Sequence, residues 1–172
     1  MQLIFASGNL NKIKELNDKT PKSISIISMR ERGFQGEIEE PGATLEENAQ
    51  IKAEFIHNLY HEDVFADDSG LEIEALNGAP GVHSARYAGP GCSFEDNNQK
   101  VLSEMHRITN RKARFRTVIH LIIDGNHHRF EGAIDGVIIP ELRGNSGFGY
   151  DPIFQPLGEE RTFAEMTLEE KN

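Results

Sequence analysis

The chain is poor in cysteine, in positive charge and in long apolar runs. Cys92 is its only cysteine. That excludes an internal disulfide and a cysteine-rich metal site, and it fits a reducing cytoplasm. Lysine and arginine number 18 against 28 aspartates and glutamates, a formal net charge of −10. A surface so acidic offers no broad nucleic-acid footprint. Any anionic ligand must be held by a few placed cations, by backbone amides and by metal. No apolar stretch approaches the ~18 residues that a membrane span needs. The opening Met1-Gln2-Leu3-Ile4-Phe5-Ala6 lacks the basic leader of a signal peptide. Internal repeats, low-complexity runs and linkers are also missing. What remains is 172 residues, 37% of them hydrophobic, enough for one domain with a sizeable core.

The most informative stretch is Val64-Phe65-Ala66-Asp67-Asp68-Ser69-Gly70-Leu71. It reads as a strand that leaves a core and breaks at two carboxylates. An unpartnered buried carboxylate is costly, so acids there call for a cation. A pair of them suits a hard divalent ion such as Mg²⁺, although Asp, Ser and Gly in a row also suit a solvated turn. Upstream, a strand at residues 2–6 runs into Ser7-Gly8-Asn9-Leu10-Asn11-Lys12 and a helix through Ile13 and Leu16. Strand, glycine turn and helix start can present backbone amides to phosphate. Lys12 in the first turn opposes the helix dipole unless an anion sits beside it. A plain strand–helix connection is the competing reading.

Ile24 to Ile27 reads as a second strand, and Gly33 to Gly36 as a loop. Thr44 and Glu47 form a capping box that opens a helix to about Tyr60. Its buried stripe is Leu45, Ala49, Lys52, Ile56 and Leu59. Lys52 on that stripe either snorkels to water or meets Asp67, Asp68 or a bound phosphate. Leu71 to Ala75 alternates like a half-exposed strand. A helix from about Ser93 to Ile108 turns Phe94, Val101, Met105 and Ile108 inward. Ala113 to Ile123 is a strand with Phe115, Thr117, Ile119, Leu121 and Ile123 on one face. Asp124-Gly125 makes a hairpin, with His127 and His128 exposed at its tip. In Gly144-Asn145-Ser146-Gly147-Phe148-Gly149-Tyr150-Asp151-Pro152, glycines free two aromatic faces for a nucleobase, or the rings fold back onto the core. Thr167-Leu168-Glu169-Glu170 is a second capping box, followed only by Lys171 and Asn172. It predicts a C-terminal helix that the chain lacks. The pattern gives one α/β domain over 1–172.

Four of these stretches together resemble the inosine triphosphate pyrophosphatase family. They are Ser7 to Lys12, Ala66 to Tyr87, Gly147 to Pro152, and Thr162-Phe163-Ala164-Glu165-Met166 with Glu169-Glu170-Lys171. The resemblance implies an elongated mixed β-sheet flanked by helices with a central substrate cleft. It also implies a Mg²⁺-dependent homodimer that hydrolyses non-standard purine nucleoside triphosphates (ITP, dITP, XTP) to the monophosphate and pyrophosphate. Carried over by position, Asp68 resembles the catalytic acid and metal ligand. Glu39 and Glu40 resemble the second metal-side carboxylates, of which alternation lets one reach the ion. Ser7, Gly8, Asn9, Leu10, Asn11, Lys12, Ser69, Phe148, Gly149, Tyr150, Asp151 and Lys171 resemble substrate contacts. In the family a Ser-His-Arg segment that reads the purine follows Glu-Glu-Lys, and this sequence stops before it.

The chemistry implied is water attack on the α-phosphorus. Asp68 is placed to accept the proton, and Lys12 and Lys52 to meet the charge of the leaving pyrophosphate. No nucleophilic serine or cysteine is required. Two alternatives differ in class. One is a pyrophosphatase on other nucleotides, of the septum-inhibitor type. The other is a nucleotide-binding domain without turnover. The expected partner is a purine nucleoside triphosphate, with neither nucleic acid nor membrane, and the expected location is the cytoplasm.

Overall fold

A computed structural model of the chain describes residues 1–171, and it describes all side chains of the first helix except those of residues 10, 11, 14, 15 and 18. The elements run β1 (Gln2–Phe5), α1 (Leu10–Lys19), β2 (Ser25–Ser28), α2 (Met29–Arg32), α3 (Leu45–Tyr60), β3 (Val64–Ile73), α4 (Phe94–Glu104), β4 (Lys112–Ile123), β5 (Asn126–Ile138), β6 (Phe154–Pro156) and α5 (Leu168–Lys171). The strands form a six-stranded sheet in the order β2-β1-β3-β4-β5-β6. β1 pairs parallel with β2 and β3, and β5 antiparallel with β6, so the α/β sheet is mixed, as expected. No helix among the described residues is long and apolar enough to cross a membrane.

The chain divides into two compact units. The first comprises Met1–Asp68 and Thr117–Glu131. Its two apolar clusters follow the alternation of β3. Val64 and Ala66 pack with Ile4, Ala53 and Ile56, whereas Phe65 packs with Leu3 and Phe5, backed by Ile13 and Leu16. Phe5 and Phe65 stack at 4.7 Å between ring centroids. Burying rings of that size stabilises by roughly 1.5–3 kcal/mol each. One face of β3 therefore belongs to α3 and the other to α1, which decides where its acids go.

The second unit comprises Ser69–Arg116 and Gly132–Asn172. Its core gathers Leu71, Ile73, Val101, Met105, Ile138, Tyr150, Ile153, Phe154 and Phe163. Gly70 is required by a close backbone approach: a Cβ there would lie 2.5 Å from the Gly81 carbonyl oxygen.

Several expectations are corrected. β3 does not break after its acids. It continues to Ile73, because Gly70 admits a neighbouring backbone and lets extended structure persist. Residues 29–32, which lie between the expected second strand and the expected loop, form α2. Ser28 and Glu31 make its capping box, and Gly33 ends it in the left-handed conformation at φ 116°. On β4 the odd-numbered set shares one face by alternation, and the deepest side chains, Val118, His120 and Ile122, belong to the other. Phe94 and Leu59 are exposed rather than inward. α4 ends at Glu104, short of Ile108. His127 is exposed as expected, but its Nδ1 meets His120 Nε2 at 2.9 Å. The second Thr-Glu box does form, Thr167 with Glu170, and caps the single turn α5.

Candidate active site

Asp67 and Asp68 are consecutive on β3, so their side chains leave on opposite faces. Asp67 shares the face of Phe65 and meets α1, where Lys12 Nζ lies 2.5 Å from its Oδ2. Asp68 shares the face of Val64 and Ala66 and meets α3, where Lys52 Nζ lies 3.7 Å from its Oδ1. Lys52 is 9% exposed and does not snorkel. Its ammonium reaches Glu40 Oε2 at 2.7 Å, which places one cation against two carboxylates. Of the acidic pair, Glu40 is half-buried and turned to Lys52, while Glu39 is exposed.

Burial pushes the Asp68 carboxyl above the ordinary carboxylate range. The positive Lys52 opposes that rise, the negative Glu40 adds to it, and an Asn48 amide hydrogen bond and the Lys12 charge oppose it again. Asn48 is itself buried, and its Oδ1 accepts from the Gly42 backbone N–H at 2.8 Å. The amide's donor end is thus left for the acid. A carboxyl that burial makes hard to ionise favours an added cation, or holds a proton more readily than free Asp does.

The Ser7–Lys12 turn is built by local polar bonds. Ser7 Oγ accepts the Asn9 N–H at 3.2 Å, and Asn9 Oδ1 accepts the Lys12 N–H at 3.4 Å. Asn9 thereby caps α1, whose first turn carries no acid. Gly8 is exposed at the turn. The expected contacts of Leu10 and Asn11 lie outside the described residues.

In the second unit the loop 144–151 centres on Asp151, 3% exposed. Its Oδ2 accepts the Phe148 N–H at 3.0 Å and the Lys171 ammonium at 2.7 Å. Gly147 at φ +79° is compelled: a Cβ there would stand 2.0 Å from Asp151 Oδ2. Lys171 Nζ also lies 4.7 Å from the centroid of the Phe148 ring, a cation–π contact. The two aromatics take different roles. The Tyr150 ring packs in the core and its hydroxyl donates to the Ser84 carbonyl at 2.7 Å, and burial raises its phenol. The Phe148 ring stays half-buried. Ser69, on β3, is half-buried as well. A separate cavity of about 550 Å³ is lined by Glu72, Arg114 and Asp135. There Glu72 and Arg114 are already paired at 2.7 Å.

Sequence reasoning missed Asn48, whose only signal was a polar residue beside the buried stripe of α3. It also missed Asn98, which interrupts the stripe of α4 in the same way.

Comparison with known proteins follows the same lines. A family model described as the Ham1 family matches residues 3–172. The dITP/XTP pyrophosphatase of Flavobacterium psychrophilum is 51% identical over 99% of this chain and 90% of its own length. That of Porphyromonas gingivalis is 48% identical over 99% of this chain and 89% of its own. Among solved structures, the Staphylococcus aureus Ham1 protein superposes with a TM-score of 0.91 at 39% identity, covering 99% of this chain and 89% of that one. A Coxiella burnetii HAM1 protein does so at 0.92 and 38%, covering 100% and 90%. With a match along essentially its whole length and a shared fold, the chain belongs to the Ham1 family.

Proposed function

We propose that the chain hydrolyses non-standard purine nucleoside triphosphates (ITP, dITP, XTP) to the monophosphate and pyrophosphate, and so cleanses the cytoplasmic nucleotide pool. The observation that carries this reading is Asp68. It is a half-buried carboxyl flanked by Lys52 and Glu40 and raised by desolvation, in a chain whose relatives bear the name dITP/XTP pyrophosphatase.

Asp68 holds the attacking water and takes its proton, a role favoured by a raised carboxyl pKa. Lys12 and Lys52 bind phosphate oxygens and meet the charge of the leaving pyrophosphate, assisted by the backbone amides of the Ser7–Lys12 turn. Phe148 stacks the base, and Asp151 and Lys171 orient its edge, with Ser69, Gly149 and Tyr150 shaping the approach. Residues 1–172 work as one catalytic domain in this reading.

Glu40 and Asp68 fit Mg²⁺: both offer carboxylate oxygens, and the two share a single ammonium, which leaves negative charge for a cation to neutralise. Among the described residues no three His, Cys, Asp or Glu side chains form a cage. Mg²⁺ commonly takes one or two protein carboxylates and fills its sphere with water and phosphate. Bound there, Mg²⁺ would polarise the phosphates and acidify water. Glu39, exposed, is the weaker candidate of the acidic pair. A homodimer is supported by β5, where Phe130 and Ile134 stand 54% and 44% exposed; light scattering on the purified chain tests it.

The deciding experiment is incubation with ITP, dITP, XTP and ATP, with and without Mg²⁺, and identification of the products. Pyrophosphate from the first three in preference to ATP is the expected result. Release of orthophosphate, or no turnover, overturns the proposal.

A further inference from the structure

α4 buries positions 97, 98 and 101, with Met105 buried at its C-cap. Leucine or alanine would suit position 98. The chain has Asn98, 2% exposed. Asparagine is a mediocre helix former, and this one also strands an acceptor: its Oδ1 is buried without a hydrogen-bond partner among the described residues. Turning the amide over offers no relief. Its Nδ2 donates to the Phe94 carbonyl and to the Gly149 carbonyl, each at 2.9 Å, and a flipped amide would oppose oxygen to oxygen. A buried polar group that is destabilising in its own helix calls for a reason elsewhere.

The bond to Gly149 supplies one. Gly149 follows Phe148 directly and sits at φ +61°, with no side chain of its own to anchor it. The Phe148 N–H is tied to Asp151, and the next carbonyl is tied to Asn98. The backbone is thus gripped on both sides of Phe148. The other N–H of Asn98 holds the turn of α4 whose Phe94 ring lies 6.4 Å from the Phe148 ring.

We infer that Asn98 is a positioning residue. It fixes the aim of the Phe148 ring, through the Gly149 carbonyl, for stacking on the purine, and does not itself touch substrate. The inference rests on the reading of Phe148 as the base contact.

Two variants test it. Asn98→Leu fills the stripe and removes the stranded acceptor. Asn98→Asp keeps the shape without a donor. Both should raise KM for ITP by roughly 3- to 10-fold, the effect of losing one neutral hydrogen bond, with kcat within about twofold of wild type and, for Asn98→Leu, no loss of melting temperature. An unchanged KM in both overturns the inference. So does a joint fall of kcat and melting temperature, which would mark a purely structural role. The chain has no tryptophan, so Phe148→Trp introduces a single indole reporter. On that background, without nucleotide, Asn98→Leu should raise acrylamide quenching of the indole about twofold, as expected for a loosened loop. Unchanged quenching overturns the positioning role. Failure of the wild-type chain to turn over ITP would overturn the proposed function instead, and the indole would still decide the role of Asn98.

Discussion

The two candidate clusters, one in each unit, are built on opposite principles. In the first unit, charge is spread over distant segments: Glu40, Lys52 and Asp68, and separately Lys12 and Asp67, meet because β3 has two faces and each face has its own helix. In the second, a short loop folds around one carboxylate, with Asp151 holding the Phe148 amide and the Lys171 ammonium. The first arrangement stores electrostatic tension, and the second removes it. A phosphate-side site gains by having charge left to satisfy, whereas a base-side loop gains by being fixed before the ligand arrives. The proposals therefore assign kcat effects to the first unit and KM and selectivity effects to the second.

The largest expected effect is on Asp68. Asp68→Asn should lower pyrophosphate release from ITP by about 10²–10⁴-fold, the range of a lost general base, without loss of stability. The carboxyl is raised by burial, so its stabilising contribution is in place below the unfolded pKa and is lost as pH rises through the folded value. In metal-free buffer the variant should therefore gain in melting temperature on wild type as pH rises above the ordinary Asp range of about 4. Turnover near the wild-type level would remove Asp68 from the mechanism.

Lys52→Met comes next. Glu40 and Asp68 would then face each other without their shared cation, at a cost of about 1–3 kcal/mol in stability. Turnover should fall by roughly 10²-fold, more than the melting shift explains. Paired melts and pyrophosphate assays separate the two effects.

Gly147→Ala sharpens the contrast from the other side. It places a methyl group against Asp151 Oδ2 at a positive φ, and should cost about 2 kcal/mol, or roughly 4–8 °C in melting temperature. KM for ITP should rise while kcat at saturation largely holds. If kcat fell as far as in Asp68→Asn, the division of labour between the halves would be wrong.

The smallest effect is at Glu170, whose carboxyl is lowered to about 2, first by the Thr167 backbone N–H, then by the Arg161 and Thr167 side chains. A depressed acid contributes above its unfolded pKa and loses that contribution as pH falls through the folded one. The α5 turn should therefore fray between about pH 4.5 and about pH 2. Carboxyl NMR titration of this one side chain reads it, and a midpoint at the ordinary glutamate value would show that the cap does not hold in solution.

Much of the first unit was legible in the sequence. A two-residue period on β3 and a capping box before α3 are local signals, and they place Asp68 and Lys52 on facing elements. What the chain could not announce was partner choice. Lys52 had two acids within reach, and only the fold gives it Glu40 as well as Asp68. α2 was announced by Ser28 and Glu31, but the box is easily passed over when the helix is one turn long. Alternation put the odd-numbered residues of β4 on one face but left open which face lies deeper, since apolar residues stand on both. Asn48 and Asn98 look like surface residues until the carboxyl and carbonyl they serve, far away in sequence, are in place.

The parity of β3 makes this strand intolerant of changes in length. Moved by one residue against Ile4 and Phe5, its partners in register, it would present Phe65 where Ala66 packs and exchange the helices that Asp67 and Asp68 address. The loops of the chain can absorb an inserted codon. Between Val64 and Asp68 an insertion acts as a frameshift in three dimensions: the letters survive, and every one of them is read on the wrong side.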